Sequence, residues 1–256
     1  MSHFETFFQL HQQAEPFLLG NIWDVNSAQI FEAAGYKAIG TSSHALAAAF
    51  GYDDGENLPF ETILRIAKRV VATVKIPFTV DIEGGYSDTT AGIIEHIKML
   101  HDAGVAGINL EDTQAKPSRQ LQPADEFKQR LTHIADELER ENIKVFLNVR
   151  TDSFLLGLPN ALDETISRIN IYENTGIHGI FVPCIARAED IQTVTRETIL
   201  PVNVMCVPAL PDFNTLQSLN VKRISMGPFL FNKMSAQTGV LAKNVVEAQN
   251  FAPLFS

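Results

Sequence analysis

The sequence predicts an α/β fold, a closed (β/α)8 barrel of the TIM type spanning residues 1–256, and three observations predict it. Short apolar or β-branched runs alternate with longer stretches of helical spacing from end to end. Some eight such units, about the number a barrel needs, follow one another without a break in composition, over a chain of 256 residues. Neither G-x-G-x-x-G nor G-x-x-x-x-G-K-[ST] occurs, so an open nucleotide-binding sheet has no support.

Strands are expected at PFLLGNIW (16–23), YKAIGTS (36–42), IPFTVDIE (76–83), VAGINLED (105–112), IKVFLNVR (143–150), IHGIFVPC (177–184), LPVNVMC (200–206) and VKRISMG (221–227). Helical periodicity falls between them, at 25–35, 58–74, 89–104, 124–141, 161–176 and 212–220. Gly35, Gly104 and Gly176 stand where a helix ends on a left-handed residue. The last segment, 235–256, carries a helical apolar stripe at Val240, Leu241, Val245, Val246 and Phe251; it either closes the barrel or packs on a neighbouring subunit.

The net charge of −10 repels phosphate backbones and anionic membranes, which argues against nucleic acid or a membrane surface as a partner. Two cysteines, Cys184 and Cys206, are too few for a disulfide framework and suit a reducing compartment. The opening MSHFETFFQLHQQAE lacks the basic and apolar regions of a secretory leader, and no apolar run reaches the roughly 20 residues of a membrane span. A soluble cytoplasmic protein is expected.

Four acidic residues carry the chemical signal. Asp54, Asp81, Glu83 and Glu111 each stand at the end of a strand-like run or in the loop beyond it. In α/β barrels those ends converge on the active site. Carboxylates gathered there repel one another unless a cation lies between them, which points to a divalent metal. Asp81 and Glu83 would share one face of an extended strand. Mg2+, which takes oxygen ligands and keeps several waters, suits such a set held partly through water; Mn2+ is the alternative. Any one of these residues could instead cap a helix, and Asp24 in NIWDVNSAQ is as well placed for a cap as for a site role. Arg150 ends an apolar strand and could clamp a carboxylate and stabilise an enolate, or simply pair with Asp152. The turn at Ser42 and Ser43 could bind a substrate carboxylate through backbone N–H groups, and His44 beside it is either a titrating site group or a loop bystander. Asn203 either points into the site or is a satisfied core amide. Neither cysteine has an activating neighbour in the sequence, so both read as inert.

The series NIWDVNSAQIFEAAGYKAIGTSSHALAAAFGYDD, VDIEGGY, GVAGINLED, FLNVRTDSF and GIHGIFVP resembles the isocitrate lyase and phosphoenolpyruvate mutase superfamily over nearly the whole chain. The resemblance implies a (β/α)8 barrel that binds Mg2+ and makes or breaks C–C or P–C bonds in 2-oxo or 2-hydroxy acids. It also implies a last helix exchanged between subunits of a homodimer or homotetramer. It makes Asp54, Asp81, Glu83 and Glu111 the metal set, with Glu83 at a position that is often Asp. Substrate would be bound by Trp23, Ser42, Ser43, His44, Asp54, Arg150 and Asn203, with Arg150, Ser42 and Lys116 in catalytic roles. His44 and Pro183 stand where subfamilies differ.

The family's citrate-type lyases carry a Lys-[Lys/Arg]-Cys-Gly-His loop whose Cys serves as general acid; here the stretch reads EDTQAKPSRQLQP, without a cysteine. Lys116 could stand in for the loop lysine of the mutase branch. Residues 113–123 are expected to form a lid that keeps water from an enolate. The expected activity is Mg-dependent C–C cleavage of a small anionic 2-oxo or 2-hydroxy acid, by retro-aldol, retro-Claisen or decarboxylation chemistry. The alternatives are P–C mutase or hydrolase activity on phosphonopyruvate-like substrates, and a catalytically silent metabolite-binding barrel.

Overall fold

The computed structural model describes residues 1–115 and 118–255. All eight expected strands form, and they close in the order Phe17–Ile22, Arg223–Ser225, Val202–Met205, Gly179–Val182, Phe146–Arg150, Gly107–Glu111, Phe78–Asp81 and Ala38–Thr41 with every neighbour parallel. In chain order the elements are α1 (His3–Leu10), β1 (Phe17–Ile22), α2 (Val25–Ala33), β2 (Ala38–Thr41), α3 (Ser43–Ala49), α4 (Phe60–Val71), β3 (Phe78–Asp81), α5 (Thr90–Asp102) and β4 (Gly107–Glu111). A short antiparallel hairpin, β5 (Thr113–Gln114) with β6 (Gln120–Leu121), precedes α6 (Ala124–Arg140). There follow β7 (Phe146–Arg150), α7 (Ala161–Tyr172), β8 (Gly179–Val182), α8 (Ala188–Arg196), β9 (Val202–Met205), α9 (Phe213–Ser218), β10 (Arg223–Ser225) and α10 (Phe229–Ala248).

The strands are buried on both faces, which is why they read as continuous apolar runs rather than alternating ones. The helices lay their apolar stripes on the outside of the sheet; α4, for instance, buries Phe60, Ile63, Leu64, Ala67 and Val70 on one face. Gly35 and Gly104 adopt φ of 88° and 91°, immediately after the capping residues of α2 and α5, as a left-handed helix stop requires.

Helix α1 was not foreseen. Its Ser2/Glu5 capping box starts it, and Phe7 and Leu10 pack with Phe17, Leu19 and Phe146 to plug the barrel at the N-terminal ends of the strands. The opposite mouth stays open. At the other terminus α10 buries no residue, and Val240, Leu241 and Val246 are exposed, so this helix does not close the barrel. Among the described residues no helix is long and apolar enough to cross a membrane.

Candidate active site

Register sets the site. In-register pairing places Asp81 beside Asn109 and Glu111 beside Arg150, so the last residues of β3, β4 and β7 meet at the open mouth. There Asp81, Asn109 and Arg150 line a cavity of about 330 Å3 together with Asn21, Thr41, Ser42, His44, Asp54 and Arg119. Its other wall is apolar, built by Leu155, Phe181, Pro183, Met205 and Pro228.

The loop after β3 is held in an unusual backbone shape. Glu83 and Tyr86 take φ of 48° and 58°, a left-handed conformation that non-glycine residues adopt at a cost of order 1–3 kcal/mol. The result is that Glu83 turns into the mouth, where its Oε1 accepts from the Tyr86 hydroxyl at 2.6 Å and its Oε2 from the Glu56 N–H at 3.0 Å. Burial pushes the Glu83 carboxyl up to about 7, against the Tyr86 hydrogen bond and with help from Asp54 and Asp81. Asp81 is fixed by the Glu83 N–H on its Oδ1 at 3.0 Å, and its own N–H donates to Thr41 Oγ1 at 2.7 Å. Its pKa is also raised, by burial first, with Arg150 opposing.

Glu111 is 1% exposed, and neither of its oxygens has a hydrogen bond of good geometry among the described residues. Arg150 Nη1 lies 2.9 Å from Oε2 and Arg119 Nη1 3.4 Å from Oε1, so the carboxylate is ion-paired but badly aligned for hydrogen bonding. Its charge is paired, but its lone pairs remain open to another donor or a cation. Burial drives the Glu111 pKa well above the usual carboxylate range despite Arg150.

Arg150 makes the pair with Asp152 that the sequence allowed, Nε to Oδ1 at 2.6 Å and Nη2 to Oδ2 at 3.0 Å. Burial works against its charge, but Glu111 and Asp152 outweigh that and raise its pKa well above normal. Two of its five N–H donors are thus hydrogen-bonded to Asp152 and Nη1 is ion-paired with Glu111, and among the described residues the other donors are left for a ligand in the cavity.

The structure redistributes several expected roles. Ser42 caps α3 through a 3.3 Å bond from the Ala45 N–H, and Ser43 and His44 form the first turn on the cavity wall. His44 Nδ1 stands 3.9 Å from Asp54 Oδ2. Trp23 does not line the cavity; it packs edge-on against Phe231, because β1 ends one residue earlier and the chain turns outward into α2. Asn203 is likewise withdrawn from substrate: it is 1% exposed and its amide bonds to Val204, Arg223, Ser225 and Asn148 inside the barrel. Asp24 is an N-cap, accepting from Ser27 N–H at 2.6 Å. Lys116 falls outside the described residues. On either side of it Thr113–Gln114 and Gln120–Leu121 pair as β5 and β6.

Arg119 was missed as a site residue. Its guanidinium lies 3.0 Å from Asp152, 3.4 Å from Glu111, 3.9 Å from Asp54 and 4.0 Å from Glu83. Only its place in a polar loop beside an acidic set could have suggested it.

Hard oxygen donors, one of them with unpartnered buried atoms, are what a magnesium-sized dication needs. Among the described residues, no three His, Cys, Asp or Glu side chains converge closely enough to ligate one ion directly. The arrangement therefore fits a cation held by few direct carboxylates with water completing the shell.

Comparison with known proteins bears on the family and the fold. A family model described as phosphoenolpyruvate phosphomutase matches residues 7–246. An uncharacterized protein of Mycobacterium tuberculosis (strain ATCC 25618 / H37Rv) is 33% identical over 222 residues, 87% of this chain and 81% of that one. An oxaloacetate decarboxylase of Bradyrhizobium sp. (strain ORS 278) is 26% identical over 213 residues, 79% of this chain and 71% of that one. A crystal structure of a proposed phosphonomutase from Burkholderia cenocepacia J2315 matches with a TM-score of 0.87 at 34% identity, over 93% of this chain and 97% of that one. Phosphonopyruvate hydrolase, in complex with oxalate and Mg2+, shares the fold with a TM-score of 0.86 at 18% identity, over 98% of this chain and 89% of that one.

Proposed function

The chain belongs to the phosphoenolpyruvate mutase/isocitrate lyase superfamily, and from that premise we propose that it is a Mg-dependent lyase cleaving a C–C bond in a small 2-oxo or 2-hydroxy carboxylic acid. The observation that carries the choice is the division of the cavity into a floor of paired charges, Asp54 and Asp81 with Arg119 and Arg150, and an apolar wall.

Arg119 and Arg150 are the only Lys or Arg residues lining the cavity among the described residues, and both are already paired with protein carboxylates. A phosphonate dianion added to a carboxylate would find too little positive charge here. The wall of Leu155, Phe181, Pro183 and Met205 offers no donors for phosphonate oxygens, whereas it suits the hydrocarbon part of an acid. A decarboxylase of oxaloacetate among the relatives is in line with C–C chemistry.

Asp81, Glu83, Glu111 and Asp54 would hold the metal. When bound, it supplies a Lewis acid that spreads the negative charge developing on the substrate oxygens, a contribution of several kcal/mol. The uncommitted N–H donors of Arg150 orient the substrate carboxylate, and the Ser42 hydroxyl, whose oxygen accepts from Ala45, keeps its proton to donate toward the cavity. The apolar wall and the β5–β6 hairpin exclude water from the carbanionic product half, so that it is not lost to uncontrolled protonation.

The test is a product assay with Mg2+ across 2-oxo and 2-hydroxy diacids with and without 3-alkyl groups, alongside phosphonopyruvate. The expected result is release of a 2-oxo acid product from a C–C substrate and none from phosphonopyruvate. Phosphate or phosphoenolpyruvate formed from phosphonopyruvate would instead establish P–C chemistry. Oxalate binding with no turnover of any substrate would make the barrel a binding protein.

A further inference from the structure

Beneath the metal set lies a polar network inside the barrel that the chemistry above does not use. Arg223, on β10, is 0% exposed, and among the described residues no carboxylate pairs with it. Its Nη2 donates to Asn109 Oδ1 at 3.2 Å, while Nε and Nη1 have no hydrogen-bond partner among the described residues. Asn148 Nδ2 donates to the same Asn109 oxygen at 2.9 Å and to Asn203 Oδ1 at 3.3 Å. Asn203 in turn donates to the Arg223 carbonyl at 3.2 Å.

A guanidinium has donors and no acceptor. The amide face that Asn109 turns toward Arg223 must therefore be its oxygen, and the N–H side is left for the carboxylate of Asp81, its in-register neighbour on the wall of the same cavity. We infer that Arg223 is a positioning residue for the metal-binding aspartate: it locks the Asn109 amide in the orientation that holds Asp81 for the cation. This rests on reading Asp81 as a metal ligand.

A purely architectural role fits the energetics poorly. A buried arginine with two unpartnered donors is costly, and an apolar side chain of similar volume in such a place is often neutral or stabilising. Its surroundings toward the barrel floor are the Phe7 ring, 5.8 Å away, and His11, which burial and the nearby Arg223 charge keep neutral down to a pKa of about 3. The acidic group whose field reaches Arg223 is Asp81, on the side of the mouth.

The experiment compares the full chain with Arg223→Met, Arg223→Lys, Asn109→Ser and Asp81→Asn, reading Mn2+ affinity by titration calorimetry or by the free-ion paramagnetic resonance signal, and Tm by circular dichroism. Arg223→Met should keep or raise Tm yet weaken Mn2+ binding by at least about tenfold, as loss of a group that orients a ligand does. Arg223→Lys should recover part of that loss, since an ammonium can still donate to Asn109, and Asn109→Ser should match Arg223→Met. Wild-type Mn2+ affinity in a folded Arg223→Met overturns the inference; should that variant not fold, wild-type affinity in Asn109→Ser does so. Asp81→Asn should bind no Mn2+. If it binds as tightly as the wild type, the fault lies in the metal-site reading itself, and the role of Arg223 falls with it.

Discussion

Arg119 Nη1 lies 3.4 Å from Glu111 Oε1, so a side chain from the rim of the mouth ion-pairs with a buried carboxylate at the end of β4. The same guanidinium is within 4.0 Å of Asp54 and Glu83, so with Glu111 it meets three of the four residues proposed to hold the metal. A divalent cation entering there must displace it. Arg119→Gln should consequently bind Mn2+ more tightly in the absence of substrate, by about tenfold, equal to about 1.4 kcal/mol. That is well under the roughly 4 kcal/mol of one close pair at an effective dielectric of 20, because the guanidinium is partly solvated. Calorimetric titration checks this; weaker binding in Arg119→Gln would make Arg119 a supporter of the metal and not its competitor.

Asp81 is the carboxylate on which the metal reading turns. Asp81→Asn keeps an oxygen to accept the Glu83 N–H, so the loop after β3 should hold its shape. Turnover should fall at least about 100-fold, some 2.7 kcal/mol of transition-state stabilisation. The far-ultraviolet circular dichroism should match the wild type. Undiminished kcat would remove Asp81 from the site.

The raised Glu83 pKa has a definite pH signature. The folded protein holds this proton up to about 7, against an ordinary value of 4.5, so the stability it contributes is complete below about 4.5 and lost as pH rises to about 7. Buried His11 works in the opposite sense over lower pH, so the effect must be read as a difference between variants. Glu83→Gln preserves the loop, because the Tyr86 hydroxyl can turn to accept from the new amide. Without metal, its Tm advantage over the wild type should be larger at pH 8 than at pH 5. Mn2+ binding to the wild type should tighten as pH rises through 7 and release protons, seen as a buffer-dependent calorimetric heat. A pH-independent Tm difference would place the Glu83 pKa near its ordinary value.

Cys184 is half-buried on the strand-end turn and burial raises its thiol pKa, while Cys206 is exposed. Cys184 is thus shifted away from the lowered pKa of a working thiolate. Cys184→Ser and Cys206→Ser should retain most activity. A loss of more than about 100-fold in kcat in either, about 2.7 kcal/mol, would show that the thiol takes part.

What could be read from the chain before its structure follows from where energy is local. The eight strands are legible because burial on both faces writes each as an apolar run, and Gly35 and Gly104 mark helix ends because few other residues tolerate their φ. Asp81, Glu111 and Arg150 are legible because each ends such a run. The helix Ser43–Ala49 is not, since an Ala-rich stretch directly after a strand shows no amphipathic period, although Ser42 caps it. Arg119 and Arg223 were hidden for opposite reasons. One comes from a polar hairpin without periodicity; the other, next to Lys222 at a strand start, looks like an ordinary surface cation, and only closure of the barrel puts it in the interior. Trp23 and Asn203 were misplaced because facing direction at a strand's end or middle depends on barrel tilt, which spacing along one strand does not encode.

The C-terminal helix α10 is the remaining structural debt. Its residues 232–244 are all exposed, and Val240, Leu241, Val246 and Phe251 present an apolar stripe to solvent. An exposed patch of that kind is normally covered. The family resemblance and the exposed stripe together point to a second copy of this chain as the cover, the helix reaching from one barrel to another. Sedimentation velocity should then show the 28.3 kDa chain as a dimer or larger assembly. Removal of residues 235–256 should shift it to a monomer, with the barrel's circular dichroism kept. A full-length protein that sediments as a monomer at tens of micromolar would mean that the stripe serves some other surface.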